Sequence, residues 1–165
     1  MATATKIRST TFEMTDLEVV AFTEVDAPRE LVWKAHTEPE HLQKWMGVPA
    51  GWDMTVAEMD VRPGGKWRWK WEGPDDETLE MHGEYRDVLP PSKLVNTENW
   101  GEPYPETVNT LTLTEELGRT TIRSAVRYPT SEARDAATET GMLDGWAQGN
   151  EKLIHYLREV QGTQQ

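Results

Sequence analysis

The sequence predicts an α+β fold in which one curved antiparallel sheet of about seven strands packs around a long C-terminal helix, with two short helices after the first strand. Three observations carry that expectation. Between residues 52 and 128, runs of alternating polar and apolar residues are separated by short turn signals, the pattern of hairpin-connected strands. Before them, residues 28–46 hold two short helical patterns. After them, Leu143, Trp146, Asn150, Leu153, Leu157 and Val160 recur at alternating steps of three and four, which places them on one helix face.

The first strand is read over residues 12–25, a β-branched and apolar run ended by Asp26-Ala27-Pro28, where a proline at the first helical position suits a helix start. Leu31, Val32 and Ala35, with Trp33, make the first short helix. Thr37-Glu38-Pro39-Glu40 has the spacing of a capping box for the second, which carries Leu42, Trp45 and Met46. Six strands follow, over 52–59, 66–72, 79–88, 93–100, 108–115 and 120–128, with Pro90-Pro91-Ser92 and Glu116-Leu117-Gly118 among the turns. The sharpest of them holds Trp67-Arg68-Trp69-Lys70-Trp71, whose alternation puts three indoles on one face and Lys66, Arg68 and Lys70 on the other. Arg62-Pro63-Gly64-Gly65 starts that strand and Gly73-Pro74-Asp75-Asp76 breaks it. The indoles are either plain core or the wall of a ligand cavity. The cations opposite them are expected to pair with acidic residues on a neighbouring strand. Pro129-Thr130-Ser131 then caps a helix running to about residue 160. Within it Gly141, Gly145 and Gly149 fall four residues apart. Each costs a helix about 1 kcal/mol relative to alanine, so the three serve either close packing on the sheet or empty space beside it.

At 165 residues the chain is expected to form one domain, residues 1–165 with a core at about 12–160, burying roughly 70% of its unfolded surface. It has no cysteine, which excludes disulfides, thiolate metal sites and cysteine nucleophiles. A formal net charge of −12 repels phosphate backbones and anionic lipid, so neither nucleic acid nor membrane is an expected partner. No apolar run reaches the length of a signal peptide or a membrane span, and a cytoplasmic location is expected. The Gly141/Gly145/Gly149 spacing is no membrane motif either, because Asp144, Gln148, Glu151 and Lys152 flank it.

Local motifs give this order of elements a likeness. They are Ala27-Pro28-Arg29-Glu30-Leu31-Val32-Trp33, Trp45, Asp60-Val61-Arg62-Pro63-Gly64-Gly65, Gly83-Glu84-Tyr85, Pro90-Pro91-Ser92-Lys93-Leu94-Val95 and Thr140-Gly141-Met142-Leu143-Asp144-Gly145-Trp146. In number, order and spacing they resemble the branch named after the activator of Hsp90 ATPase, within the START-like (SRPBCC, Bet v 1-like) superfamily. The resemblance covers residues 12–160 and implies the helix-grip fold, a curved sheet gripping the C-terminal helix, with a cavity that in many members holds an apolar or aromatic small molecule. It implies no one reaction, since superfamily members include carriers, receptors and cyclases. In eukaryotic Hsp90 activators the stimulation depends on an additional N-terminal domain, and about a dozen residues precede the first strand here. An Hsp90-like chaperone is therefore not an expected partner.

The resemblance also implies apolar or aromatic residues at the positions of Asn96, Glu98 and Asn150, and here all three are polar. Alternation groups Leu94, Asn96, Glu98 and Trp100 on the face that the family pattern makes concave, and Asn109 shares a face with Leu111 and Leu113. A carboxylate and three carboxamides then look into a cavity walled by Trp67, Trp69, Trp71, Leu111, Leu113, Ile122, Val126 and Trp146. A register slip of one residue would instead put Asn96 and Glu98 in solvent, and Asn150 either faces the cavity or bonds a strand carbonyl as a core amide. Glu98, buried beside indoles, is the candidate general acid or base. Tyr85 and Tyr128 either position a substrate oxygen or are core aromatics.

Other chemistry finds no support. His36, His41, His82 and His155 lack the paired spacing of a zinc site, His82 belonging with Glu80 and Glu84 to an outer charged face. Asp75-Asp76-Glu77 reads as a solvated hairpin tip rather than a calcium loop, and no serine sits in a nucleophile elbow. No metal or cofactor is expected. The function expected is binding of a small apolar or aromatic molecule by Trp67, Trp69, Trp71, Tyr85, Asn96, Glu98, Asn109, Leu111, Trp146 and Asn150. The alternatives are a cyclase- or hydratase-like enzyme using Glu98, or a co-chaperone-like interaction module. Trp33 and Trp45 either pack under the short helices or support a weak homodimer.

Overall fold

Hairpin-length turns make strands adjacent in sequence adjacent in space, and the chain follows that rule except at one junction. The computed structural model describes residues 4–46 and 51–162. In chain order the elements are β1 (Ala4–Ile7), β2 (Thr10–Met14), β3 (Glu18–Val25), α1 (Arg29–Thr37), α2 (Pro39–Trp45), β4 (Asp53–Met59), β5 (Lys66–Glu72), β6 (Thr78–Leu89), β7 (Lys93–Glu98), β8 (Thr107–Glu116), β9 (Arg119–Arg127), α3 (Ser131–Thr138) and α4 (Met142–Gly162). The strands form one sheet in the order β1-β2-β3-β9-β8-β7-β6-β5-β4, every neighbouring pair antiparallel. The exception is β3, third from one rim, which pairs with β9, so α1 and α2 carry the chain across to β4 at the opposite rim.

The α+β helix-grip architecture agrees with the sequence reading, but the sheet has nine strands rather than about seven. Two come from the N-terminal stretch. The run 12–25 is split by a polar turn in which Thr15 N donates to Glu18 O (3.0 Å) and Glu18 N to Thr15 Oγ1 (3.1 Å). The Arg134 guanidinium holds that turn from α3, donating to Thr15 O and to Asp16 O (3.0 Å). β1 pairs along β2 with side chains almost wholly exposed, so no apolar alternation marks it.

Helix ends depart further. The single long C-terminal helix is two, because Gly141 takes φ +84°, the left-handed conformation that ends a helix. The Thr138 and Thr140 hydroxyls reinforce the stop by donating back to Asp135 O (3.0 Å) and Ala137 O (2.6 Å). Thr130 does cap the first piece, its Oγ1 accepting from Ala133 N (3.1 Å). No capping box forms at α2. Glu38 occupies the N-cap without a side-chain bond, and the Thr37 hydroxyl donates to Trp33 O (2.8 Å) inside the core. Pro28 is likewise the N-cap of α1, one residue before its first helical position, and the Glu115 carboxylate of β8 accepts from Arg29 N (2.6 Å) there.

β5 spans the residues alternation assigns to it. On its outer face Arg68 bridges Glu58 of β4 (3.4 Å) and Glu80 of β6 (2.6 Å), while Lys66 lies opposite Glu84 and Lys70 opposite Glu80. On its inner face Trp67 and Trp71 are buried and Trp69 half-buried. The main core lies between the sheet and α1, α2 and α4, where Val32, Leu42, Trp45, Trp71, Leu153 and Leu157 cluster. Leu113 and Ile122 are buried in this cluster and do not line the cavity the sequence reading gave them to. Trp33 and Trp45 are buried too, Trp45 Nε1 donating to Ala35 O (2.9 Å), so neither offers a surface for a homodimer. No helix among the described residues is long and apolar enough to cross a membrane.

Candidate functional site

A cavity of about 390 Å³ lies between the inner face of the sheet and α4, bordered also by residues of α1 and α2. Alternation makes it: β5 sends in Trp67, Trp69 and Trp71, β6 Tyr85, β7 Asn96 and Glu98, and β8 Asn109 and Leu111. From the opposite side α4 presents Trp146 and Asn150. All ten residues singled out in the sequence as ligand-binding candidates therefore border one space. Val126 borders it as well.

The indoles form a continuous aromatic wall. Trp67 and Trp69 lie with centroids 4.4 Å apart at 45°, and Trp69 meets Trp71 edge-on at 6.2 Å and 89°. Trp71 stacks on Trp100 at 6.3 Å and 3°. Their positions are fixed by backbone acceptors: Trp67 Nε1 donates to Thr97 O (3.2 Å) and Trp71 Nε1 to Met46 O (2.8 Å). Gly83 makes the first of these possible, since a Cβ there would sit 1.9 Å from Thr97 O and 2.6 Å from Trp67 Nε1. Trp69 Nε1 is the buried side-chain polar atom left without a partner among the described residues.

The register Leu94↔Leu111, Asn96↔Asn109 and Glu98↔Thr107 turns the polar groups inward. Glu98 Oε1 accepts from Trp100 Nε1 (2.7 Å), and Oε2 accepts from Asn109 Nδ2. Asn109 is oriented in turn by the Thr107 hydroxyl, which donates to its Oδ1 (3.4 Å). Glu98 as a residue is half-buried because it opens on the cavity, yet protein atoms surround its carboxyl closely. Burial raises that carboxyl above its ordinary range, outweighing the lowering by hydrogen bonds from Asn109 and Trp100.

Asn150 has both roles the sequence left open, with a different partner. It borders the cavity, and its Nδ2 donates to the Thr10 hydroxyl (3.0 Å) rather than to a strand carbonyl. Thr23 Oγ1 donates to Ser9 O (2.9 Å), so the 2.9 Å contact between Thr10 and Thr23 runs from Thr10 to Thr23, and Thr10 is left to accept from Asn150. The two tyrosines separate. Tyr85 borders the cavity, its phenol raised by burial and then by the Asp60 charge. Tyr128 lies outside it, donates to Met142 Sδ (3.3 Å), and is pushed up to about 12 by burial and then by the charge of Glu98.

The bordering residues that were not assigned to the site from sequence include Trp100 and His36. Trp100 was placed on the concave face only as a strand continuation. His36 was set aside with the other histidines, yet it faces the cavity from α1, its Nδ1 donating to Val32 O (2.9 Å) and its ring edge-on to Trp45 at 5.0 Å. Burial pushes its imidazole below the usual range. The available signal was its place one turn after Val32 on the buried side of a short helix. The helix glycines are also settled: beside Gly145 and Gly149 an added Cβ would meet nothing within 4 Å, so they supply space rather than close packing.

No group of three or more histidine, aspartate or glutamate side chains able to hold a metal occurs among the described residues. A larger hollow, about 770 Å³, is bordered by mixed charges, of which Arg119 is paired to Glu24 (3.5 Å) and Asp26 (2.8 Å).

Comparison with known proteins agrees with this geometry. The family model described as activator of Hsp90 ATPase homolog 1-like protein matches residues 26–158. A crystal structure of a Rhodobacter sphaeroides protein is 30% identical, with 88% of this chain and 95% of that one covered and a TM-score of 0.82. Protein NE0264 from Nitrosomonas europaea is 25% identical over 90% of this chain and 99% of its own, with a TM-score of 0.80. Protein Ms6760 from Mycobacterium smegmatis, 24% identical over 94% and 97%, shares the fold with a TM-score of 0.79. No curated protein matches the chain.

Proposed function

The chain belongs to the family of activator of Hsp90 ATPase homolog 1-like proteins, whose members commonly bind hydrophobic ligands, and from that premise we propose that it binds a small, largely apolar or aromatic molecule between its sheet and α4. The supporting observation is the cavity of about 390 Å³, walled by indoles and carrying a few convergent polar groups. Its volume falls within the range of about 300–1,000 Å³ usual for small-molecule sites. In this reading Trp67, Trp69, Trp71, Leu111 and Trp146 set the shape, while Tyr85, Asn96, Glu98, Asn109 and Asn150 orient the polar end.

Native mass spectrometry of gently purified protein, with organic extraction of any adduct, tests it. A defined small-molecule mass that disappears on unfolding is the expected result, and Gly149→Leu, which fills the cavity from the helix side, should lose that mass while staying folded. An adduct retained unchanged in Gly149→Leu would place the ligand elsewhere and sink the reading.

The raised Glu98 carboxyl facing the cavity favours a second reading, a cyclase- or hydratase-like catalyst in which Glu98 moves a proton on the bound molecule. With the extracted compound as substrate, Glu98→Gln is then expected to abolish turnover and keep binding. Equal turnover in the variant would exclude the reading.

A further inference from the structure

Glu98 is a carboxyl facing an apolar cavity without a cation beside it. No lysine or arginine borders the cavity, and Glu98 forms no ion pair among the described residues. The other titratable groups around it come from three directions: Tyr85 on β6, Tyr128 after β9 and His36 on α1. β8 and α4 contribute only neutral groups to the wall, Asn109 and Asn150 among them. Both tyrosines are raised and the histidine lowered, so all three are neutral near neutral pH and none balances a carboxylate. Two donors nevertheless fix the carboxyl, one on each oxygen, and each oxygen retains accepting capacity. The donor of one of them, Trp100, belongs to the indole wall, where ring planes meet at 45°, 89° and 3°. Indole faces attract cations.

Resting on the ligand-binding reading above, we propose that the ligand is an organic cation, a protonated or quaternary amine on an apolar or aromatic body, with its head held between Glu98 and the indoles. Each class of rival leaves a cost. An anionic ligand would bring a negative charge into a wall that carries no positive one, and a neutral ligand would supply no counter-charge to the cavity's carboxyl. An ammonium supplies the missing charge, donates to the free lone pairs of Glu98, and rests its substituents on the tryptophans. The net charge of −12 also draws cations toward the molecule. Burial disfavours the ionised carboxyl and an ammonium beside it favours that form, so ammonium binding is linked to loss of the Glu98 proton while the ligand keeps its own.

The test is isothermal titration of three ligands of one skeleton, 2-(2-naphthyl)ethylamine, 2-(2-naphthyl)ethanol and 2-naphthylacetate, into the full chain at pH 7. The amine is expected to bind about 10- to 100-fold tighter than the alcohol, the margin of one charge-assisted hydrogen bond, and the acetate more weakly than either. Glu98→Gln should erase the preference and keep the alcohol's affinity. Should that variant not fold, a pH series on the unaltered protein serves: amine affinity should fall as pH drops through the Glu98 range and alcohol affinity stay level, with the same fall in His36→Gln. Amine and alcohol binding alike would overturn the cation proposal and leave the cavity reading standing. Binding of none of the three at millimolar concentration would overturn both.

Discussion

A carboxyl raised above its ordinary value of 4.5 holds its proton more tightly in the folded chain than in the unfolded one. Glu98 therefore adds stability that is fully present below the unfolded value and is lost as pH rises through the folded one. Glu98→Gln removes this dependence, so the variant should gain stability relative to the parent as pH rises above 4.5; urea unfolding of both proteins over a rising pH series would reveal the gain, and parallel curves would contradict it. Gly83 makes the opposite kind of demand. Its missing Cβ leaves room for a main-chain carbonyl that cannot move aside, so Gly83→Ala is expected to cost about 3 kcal/mol or more, read from the same unfolding curves. Glu98, Asn96 and Asn109 were legible in the sequence because strand alternation assigns a face once one neighbour on it is known. His36 was passed over because the search was for paired histidines, while its one signal was its place a turn after the apolar Val32.

Among the elements, β5 was read to its last residue because seven positions alternate without interruption between Arg62-Pro63-Gly64-Gly65 and Gly73. The C-terminal helix was misread for a related reason. Its apolar stripe begins at Leu143, but the cap at Thr130 suggested one continuous element, and nothing in a pattern of glycines four apart tells a helix-ending glycine from two that lie inside a helix. The structure separates them by conformation, and their substitutions should separate them by stability. Gly145→Ala and Gly149→Ala add a methyl in open space inside α4, and each is expected to stabilise by up to about 1 kcal/mol while weakening ligand binding by intruding on the cavity. Gly141→Ala, forced into φ +84°, should destabilise by about 1 kcal/mol. Thermal melts of the three variants, beside the amount of adduct each retains, would show whether stability and binding move in opposite directions at the two interior sites.

Over the whole molecule the sheet order puts β9, β8 and β7 in the middle and leaves β1 and β4 at the rims. Hydrogen exchange should follow that order, with amides of β8 and β9 slowest and those of β1 fastest, because β1 has a partner on one side alone and side chains that bury little. Equal protection of β1 and β8 would contradict the expectation. The general architecture was legible because hairpin turns and the terminal apolar stripe are long-range signals repeated many times. The extra strands were not, because β1 is four mostly exposed residues with no apolar alternation and the turn between Thr15 and Glu18 interrupts a run that reads as continuous. The tie between Trp67, Gly83 and Thr97 joins three successive strands at one point. In terms of descent, positions 67 and 83 are tied while 97 is free of this tie, because its share is a main-chain carbonyl that any residue supplies: a side chain acquired at 83 would displace the indole from that carbonyl in the same step.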